Sequence, residues 1–187
     1  MKKTFTIYLF LAVLAAGANA QGYSLGLQVG NSFATHYGSH SFFVEASAMI
    51  PTSNDNRFEI DLGWSDHGHY RDAYGTTHRT GALLTSLSYL WGWHIVAGLG
   101  WYIGPSVALG AWFNGRYYDS PATDNTSSTA SFTAGVGGTV GIEYNFDFPL
   151  QLSLAARPSL NVMVPGQPYM NIAYIGLGIR YRFTPAR

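Results

Sequence analysis

The chain has 187 residues, with 10 Lys+Arg against 10 Asp+Glu, 16% aromatic residues and only 11% charged residues. Soluble domains run near 25% charged, so this is not the composition of an ordinary soluble domain, and without a basic surface a nucleic-acid partner is excluded. The chain has no Cys, which excludes disulfides and thiolate chemistry.

The first twenty residues read as an export signal. Lys2 and Lys3 supply a positive start, Ile7 to Ala16 is a short apolar run, and Ala18-Asn19-Ala20 places small residues where a signal peptidase reads them. Cleavage is expected before Gln21, leaving residues 21–187 as one domain. Lys occurs only at positions 2 and 3, so the exported part carries eight Arg against ten acids, a net charge of −2. After the signal no apolar run is long enough for a membrane-spanning helix.

Eight extended segments follow, each apolar on one face and small or polar on the other, as the two-residue period of a strand requires. About Gly22 to Phe33, Tyr23, Leu25, Leu27 and Val29 oppose Ser24, Gly26, Gln28 and Gly30. About Ser41 to Ile50, Phe42, Val44, Ala46 and Ala48 oppose Glu45 and Ser47. About Arg57 to His69, Phe58, Ile60, Leu62 and Trp64 oppose Glu59, Asp61, Gly63 and Ser65. The fourth segment, about Arg79 to Ile95, sets Leu83, Leu87, Tyr89, Trp91 and Trp93 against Ala82, Ser86, Ser88 and Gly92. The fifth, about Leu99 to Phe113, sets Trp101, Ile103, Val107 and Leu109 against Tyr102, Gly104, Ser106 and Gly110. The sixth, about Ser131 to Phe146, sets Val136, Val140, Ile142 and Tyr144 against Gly137, Thr139, Gly141 and Glu143. The seventh, about Leu150 to Val164, sets Leu152, Leu154, Leu160 and Val162 against Gln151, Ser153, Arg157 and Asn161. In the last, Asn171 to Phe183, Ile175, Leu177, Ile179, Tyr181 and Phe183 share a face that Tyr174, Arg180 and Arg182 do not.

The connections alternate in length. Val96 to Gly98 and Asp147 to Pro149 are tight turns, whereas residues 70–78 and 114–130 form longer polar loops. Aromatic residues collect at both ends of the segments, for example Trp93, Trp101 and Tyr181 toward the turns and Trp64, Trp112 and Phe113 toward the loops. Apolar faces outward, Gly- and Ser-rich faces inward, two aromatic girdles and short turns on one side define an all-β, eight-stranded antiparallel transmembrane β-barrel. Outer-membrane lipid is then the surrounding medium.

The terminal strand, with alternate apolar positions leading through Ile179 and Tyr181 to Phe183, resembles the C-terminal assembly signal of the small OmpA/OmpX-type outer-membrane barrels, although Thr184 to Arg187 follow the aromatic. Gly100-Trp101-Tyr102-Ile103-Gly104-Pro105 and Gly141-Ile142-Glu143-Tyr144-Asn145-Phe146 are similar to the same family. The resemblance implies outer-membrane localisation after signal cleavage, insertion by the barrel-assembly machinery, and a structural or surface-interaction role without a cofactor.

Four groups of residues bear on chemistry. Glu45, Glu59, Asp61 and Glu143 face inward by alternation, as do Arg57, Arg157, Arg180 and Arg182. In a narrow low-dielectric lumen they are expected to pair and to plug the barrel, because an unpaired buried charge is costly. His67, His69 and His78 lie near the loop end of the third and fourth segments, and a His-x-His spacing on a strand suits Zn²⁺ or Cu²⁺. Ser65, Asp66 and His67 supply the residue types of a hydrolytic site without establishing its geometry. The loops 70–78 and 114–130, the latter with Tyr117 and Tyr118, are candidate surfaces for an extracellular ligand. The reading is a non-enzymatic barrel; an outer-membrane lipid-modifying enzyme and a narrow channel stay open as alternatives.

Overall fold

A computed structural model describes residues 22–34, 40–52, 55–71, 77–115, 129–164 and 168–183. Residues 1–20, over which an export signal is expected, residues 72–76 and 116–128 of the two long loops, and residues 184–187 lie outside the described residues. The described residues form nine strand segments: β1 (Ser24–Ala34), β2 (His40–Pro51), β3 (Arg57–Arg71), β4 (Thr77–Val96), β5 (Leu99–Gly115), β6 (Thr129–Asn145), β7 (Leu150–Ala156), β8 (Ser159–Val164) and β9 (Pro168–Arg182). Each neighbour pairs antiparallel, and β1 pairs with β9, so the sheet closes on itself.

Both β7 and β8 pair with β6 on one side and with β9 on the other. They are two halves of one wall, which leaves eight walls. The interruption falls at Arg157-Pro158. Proline has no N–H to give to a ladder, but Arg157 N–H donates to Tyr174 O at 2.9 Å and Gly138 N–H to Pro158 O at 3.1 Å, so the wall continues across the gap. The strands also run further than the sequence suggests. Tyr70 pairs with His78 and Arg71 with Thr77, and Gly115 pairs with Thr129. Parts of the ranges 70–78 and 114–130 are therefore ladder rather than loop, because the backbone pairing carries on past the apolar belt.

The faces are distributed inside out. Large apolar side chains on every wall are exposed, among them Leu27, Leu62, Leu83, Leu109, Val136, Ile142, Leu154 and Leu177. The buried set is rich in Ser24, Gln28, Glu45, Ser47, Glu59, Asp61, Ser88, Thr139, Gln151, Ser153, Arg157 and Arg180. Such an apolar surface is compatible only with hydrocarbon around the barrel, where all backbone polar groups must find partners within the ladder.

Aromatic pairs mark both ends of this belt. Trp93 stacks on Trp101 with centroids 4.6 Å apart and Tyr23 on Phe183 at 4.5 Å near the turns. Trp64 stacks on Phe113 at 5.9 Å toward the loops.

Small residues on the inner face make room for large ones. A Cβ at Gly141 would lie 2.5 Å from both Cζ and Oη of Tyr102, which is wholly buried in the lumen. At the β4–β5 turn Gly98 has φ of +76°, a left-handed conformation that side chains disfavour. Two predictions follow from these faces. Gly141→Val should lower stability by about 1–3 kcal/mol through overpacking, while Gly138→Ala, whose Cβ would meet only Gly104 O at 3.4 Å, should be near neutral; urea unfolding in lipid vesicles compares them. By the same assay Leu154→Arg, on the lipid face, should cost about 2–4 kcal/mol.

Candidate functional site: the charged lumen

β3 is the spine of the lumen. Arg57, Glu59 and Asp61 occupy three consecutive inward positions, spaced by roughly 6.6 Å on a strand rising 3.3 Å per residue. Each is met by an opposite charge from another wall. Arg57 holds Glu143 of β6 through both carboxylate oxygens, at 3.0 and 2.5 Å. Glu59 accepts a 2.5 Å bond from Arg180 of β9. Asp61 accepts a 2.9 Å bond from Arg157, between β7 and β8. These are three rungs across the barrel, ascending from the turn end.

Hydroxyl groups complete the rungs. Arg180 also donates from Nε to Ser47 Oγ at 3.1 Å and from Nη1 to Ser153 Oγ at 2.7 Å. Arg157 donates from Nη1 to Ser86 Oγ at 2.9 Å, and Ser86 Oγ donates to Asp61 Oδ2 at 3.0 Å. The second nitrogen of Arg157, Nη2, bonds Glu45 of β2. Arg157 thus bridges two carboxylates from adjacent strands, each of which would otherwise be a buried charge.

Aromatic rings wrap this centre. The Arg157 guanidinium lies 4.5 Å from the Tyr174 ring centroid and 6.0 Å from that of Phe43. Phe43 and Tyr174 stack at 3.7 Å, and Tyr174 Oη donates to Glu45 Oε1 at 2.7 Å. Lower down, Arg57 sits 4.6 Å over the Tyr102 ring. A cation over a ring face is stabilised by the ring quadrupole, the more so when desolvated.

All eight inward charges expected from alternation therefore lie in or beside the lumen, but they do not form four pairs. Arg182 donates instead to the carbonyls of Phe146 and Phe148 in the β6–β7 turn, at 2.6 and 3.3 Å. Glu45 and Asp61 share one arginine. Phe43 was missed by sequence reasoning, although it shares the parity of Glu45 and Ser47; an apolar residue on a polar face was the available signal.

The side chains of His67, His69 and His78 lie outside the described residues. The β3–β4 register shifts between Asp66 and His69. Ser65 is buried in the lumen while Asp66 is its neighbour on the alternate face, so these two do not converge. Of the residues in the expected assembly signal, Ile179 and Tyr181 are exposed on the outer face, and Phe183 N–H donates to Tyr23 O at 2.9 Å, fastening it to the residue just before β1.

Arg157→Leu is expected to destabilise the barrel by about 3–5 kcal/mol, because it strands Glu45 and Asp61 without a cation. Adding Glu45→Gln and Asp61→Asn should restore a large part of the loss. Urea unfolding in vesicles, followed by tryptophan fluorescence, measures both.

No protein-family model matches the sequence, and a sequence comparison with characterised proteins finds no match. Solved structures do resemble it. Neisserial surface protein A, 15% identical, aligns over 87% of this chain and 96% of its own with a TM-score of 0.61. The N-terminal β-barrel domain of Pseudomonas aeruginosa OprF, 17% identical, aligns over 86% of this chain and 97% of its own at 0.49. Ail of Yersinia pestis, 12% identical, aligns over 87% and 97% at 0.46. The chain has the fold of the small eight-stranded outer-membrane barrels.

Proposed function

We propose that this protein is an integral outer-membrane barrel with a structural or surface-interaction role, its lumen plugged by the charge rungs. The observation that carries this reading is the set of three rungs, each tying β3 to another wall across a lumen only eight strands wide. The wide apolar belt supports residence in lipid. In this reading the export signal is cleaved before Gln21, the assembly machinery recognises Ile179, Tyr181 and Phe183, and the loops 70–78 and 114–130 offer the surface to an extracellular partner. The protein acts by being held in the membrane and presenting that surface, not by turnover.

Two measurements test it. Purified protein in a planar bilayer should produce no discrete conductance steps; reproducible steps would replace the plug with a gated polar path. The lipid A mass spectrum of cells overexpressing the protein should match that of control cells. A defined mass change would make the protein a lipid-modifying enzyme.

A further inference from the structure

The rungs leave one arginine over. Arg57, Arg157 and Arg180 each meet a carboxylate. Arg182, the next inward position on β9 after Arg180, meets none among the described residues. Its Nη2 is fixed by the two carbonyls of the β6–β7 turn, so the guanidinium is held in place while its buried Nε has no hydrogen-bond partner among the described residues.

Arg182 borders a cavity of about 390 Å³ that opens at the turn end of the barrel. The other charged groups in the cavity wall are Arg57, paired with Glu143 at 2.5 Å, and the Asp55 carboxylate, which lies 3.2 Å from His94 Nδ1. Beside them stand the neutral hydrogen-bonding groups of Ser24, Asn56 and Asn145. The cavity therefore holds one positioned guanidinium to which no carboxylate is bonded among the described residues, with Asp55 as the other carboxylate of the wall besides Glu143. Its volume falls in the range of small-ligand sites, roughly 300–1,000 Å³. A guanidinium offers a planar fork of donors matched to carboxylate and phosphate oxygens.

We propose that this mouth is a binding site for a small anion, a carboxylate or phosphate group presented from the side the turns face, with Arg182 as the residue that receives it. The site depends on the geometry of the turn end and is independent of whether the lumen conducts.

The test uses the full barrel refolded in nanodiscs, with sodium phosphate and sodium acetate titrated separately at constant ionic strength. Amide NMR shifts of Ser24 and Gly98 report on the mouth. Saturable shifts with either anion are expected, weakened at least about tenfold in Arg182→Gln and less in Arg182→Lys, which keeps the charge but not the planar fork. Arg79→Gln, on β4 near the loop end, should bind as the unchanged protein does. Heat-dependent gel mobility confirms that each variant is folded. Saturation by phosphate alone assigns phosphorylated ligands, and by acetate alone carboxylates. Linear shifts with both anions, or unchanged affinity in a folded Arg182→Gln, would overturn the proposal.

Discussion

The pairing of the first strand with the last is the constraint on which the rest of the molecule depends. β1 and β9 run antiparallel from Ser24 opposite Arg182 to Phe33 opposite Ala173, and this joins the two edges that a meander of strands would otherwise leave open. In hydrocarbon an unpaired backbone group costs several kcal/mol, so a spanning sheet must close. Closure with eight walls then sets the diameter, and the diameter sets what the lumen can hold: side chains, with little room for anything else. The inward glycines and serines follow from that limit. Gly141 yields its space to Tyr102, and Gly178 yields to Ser153, whose hydroxyl would lie 2.5 Å from a Cβ there.

Once charges enter such a space they have to be answered. Each rung joins walls that are not neighbours in the sheet: β3 to β6, β3 to β9, and β3 to the wall formed by β7 and β8. A backbone ladder braces a barrel around its circumference, while these bonds brace it across. A buried pair is not by itself a source of stability, because both ions lose their hydration. What it does provide is specificity of register. A slip of β3 by one residue would turn Arg57, Glu59 and Asp61 toward lipid, where each charge is penalised heavily.

The lumen also changes character along its axis. The turn half holds the rungs with Tyr102, Leu90 and Ala155 packed among them. The half toward the loops holds Trp112, Met163 and Ala82 against Leu84. The charged rungs lie below, and above them this apolar cluster sits among the buried hydroxyl residues Ser65, Ser131 and Thr133. The turn-side mouth, with Arg182 in its wall, lies below both.

The barrel itself was legible in the sequence because a two-residue period is a local property. Alternation in eight segments separates lipid-facing Leu62 or Ile142 from lumen-facing Asp61 or Glu143 without knowledge of any neighbour. The same alternation put Glu45, Arg57, Glu59, Asp61, Glu143, Arg157 and Arg180 on the face where ion pairs form among the described residues. Partnership was not legible, since Glu45 and Arg157 lie 112 positions apart and meet only when non-adjacent walls curve toward each other. Nor was the sharing of one arginine by two carboxylates, the wrapping of that arginine by Phe43 and Tyr174, or the diversion of Arg182 to the turn carbonyls. Residue type and parity say which side of a wall a group stands on; only the closed, staggered barrel decides which groups share a level, because that depends on the register of every strand between them.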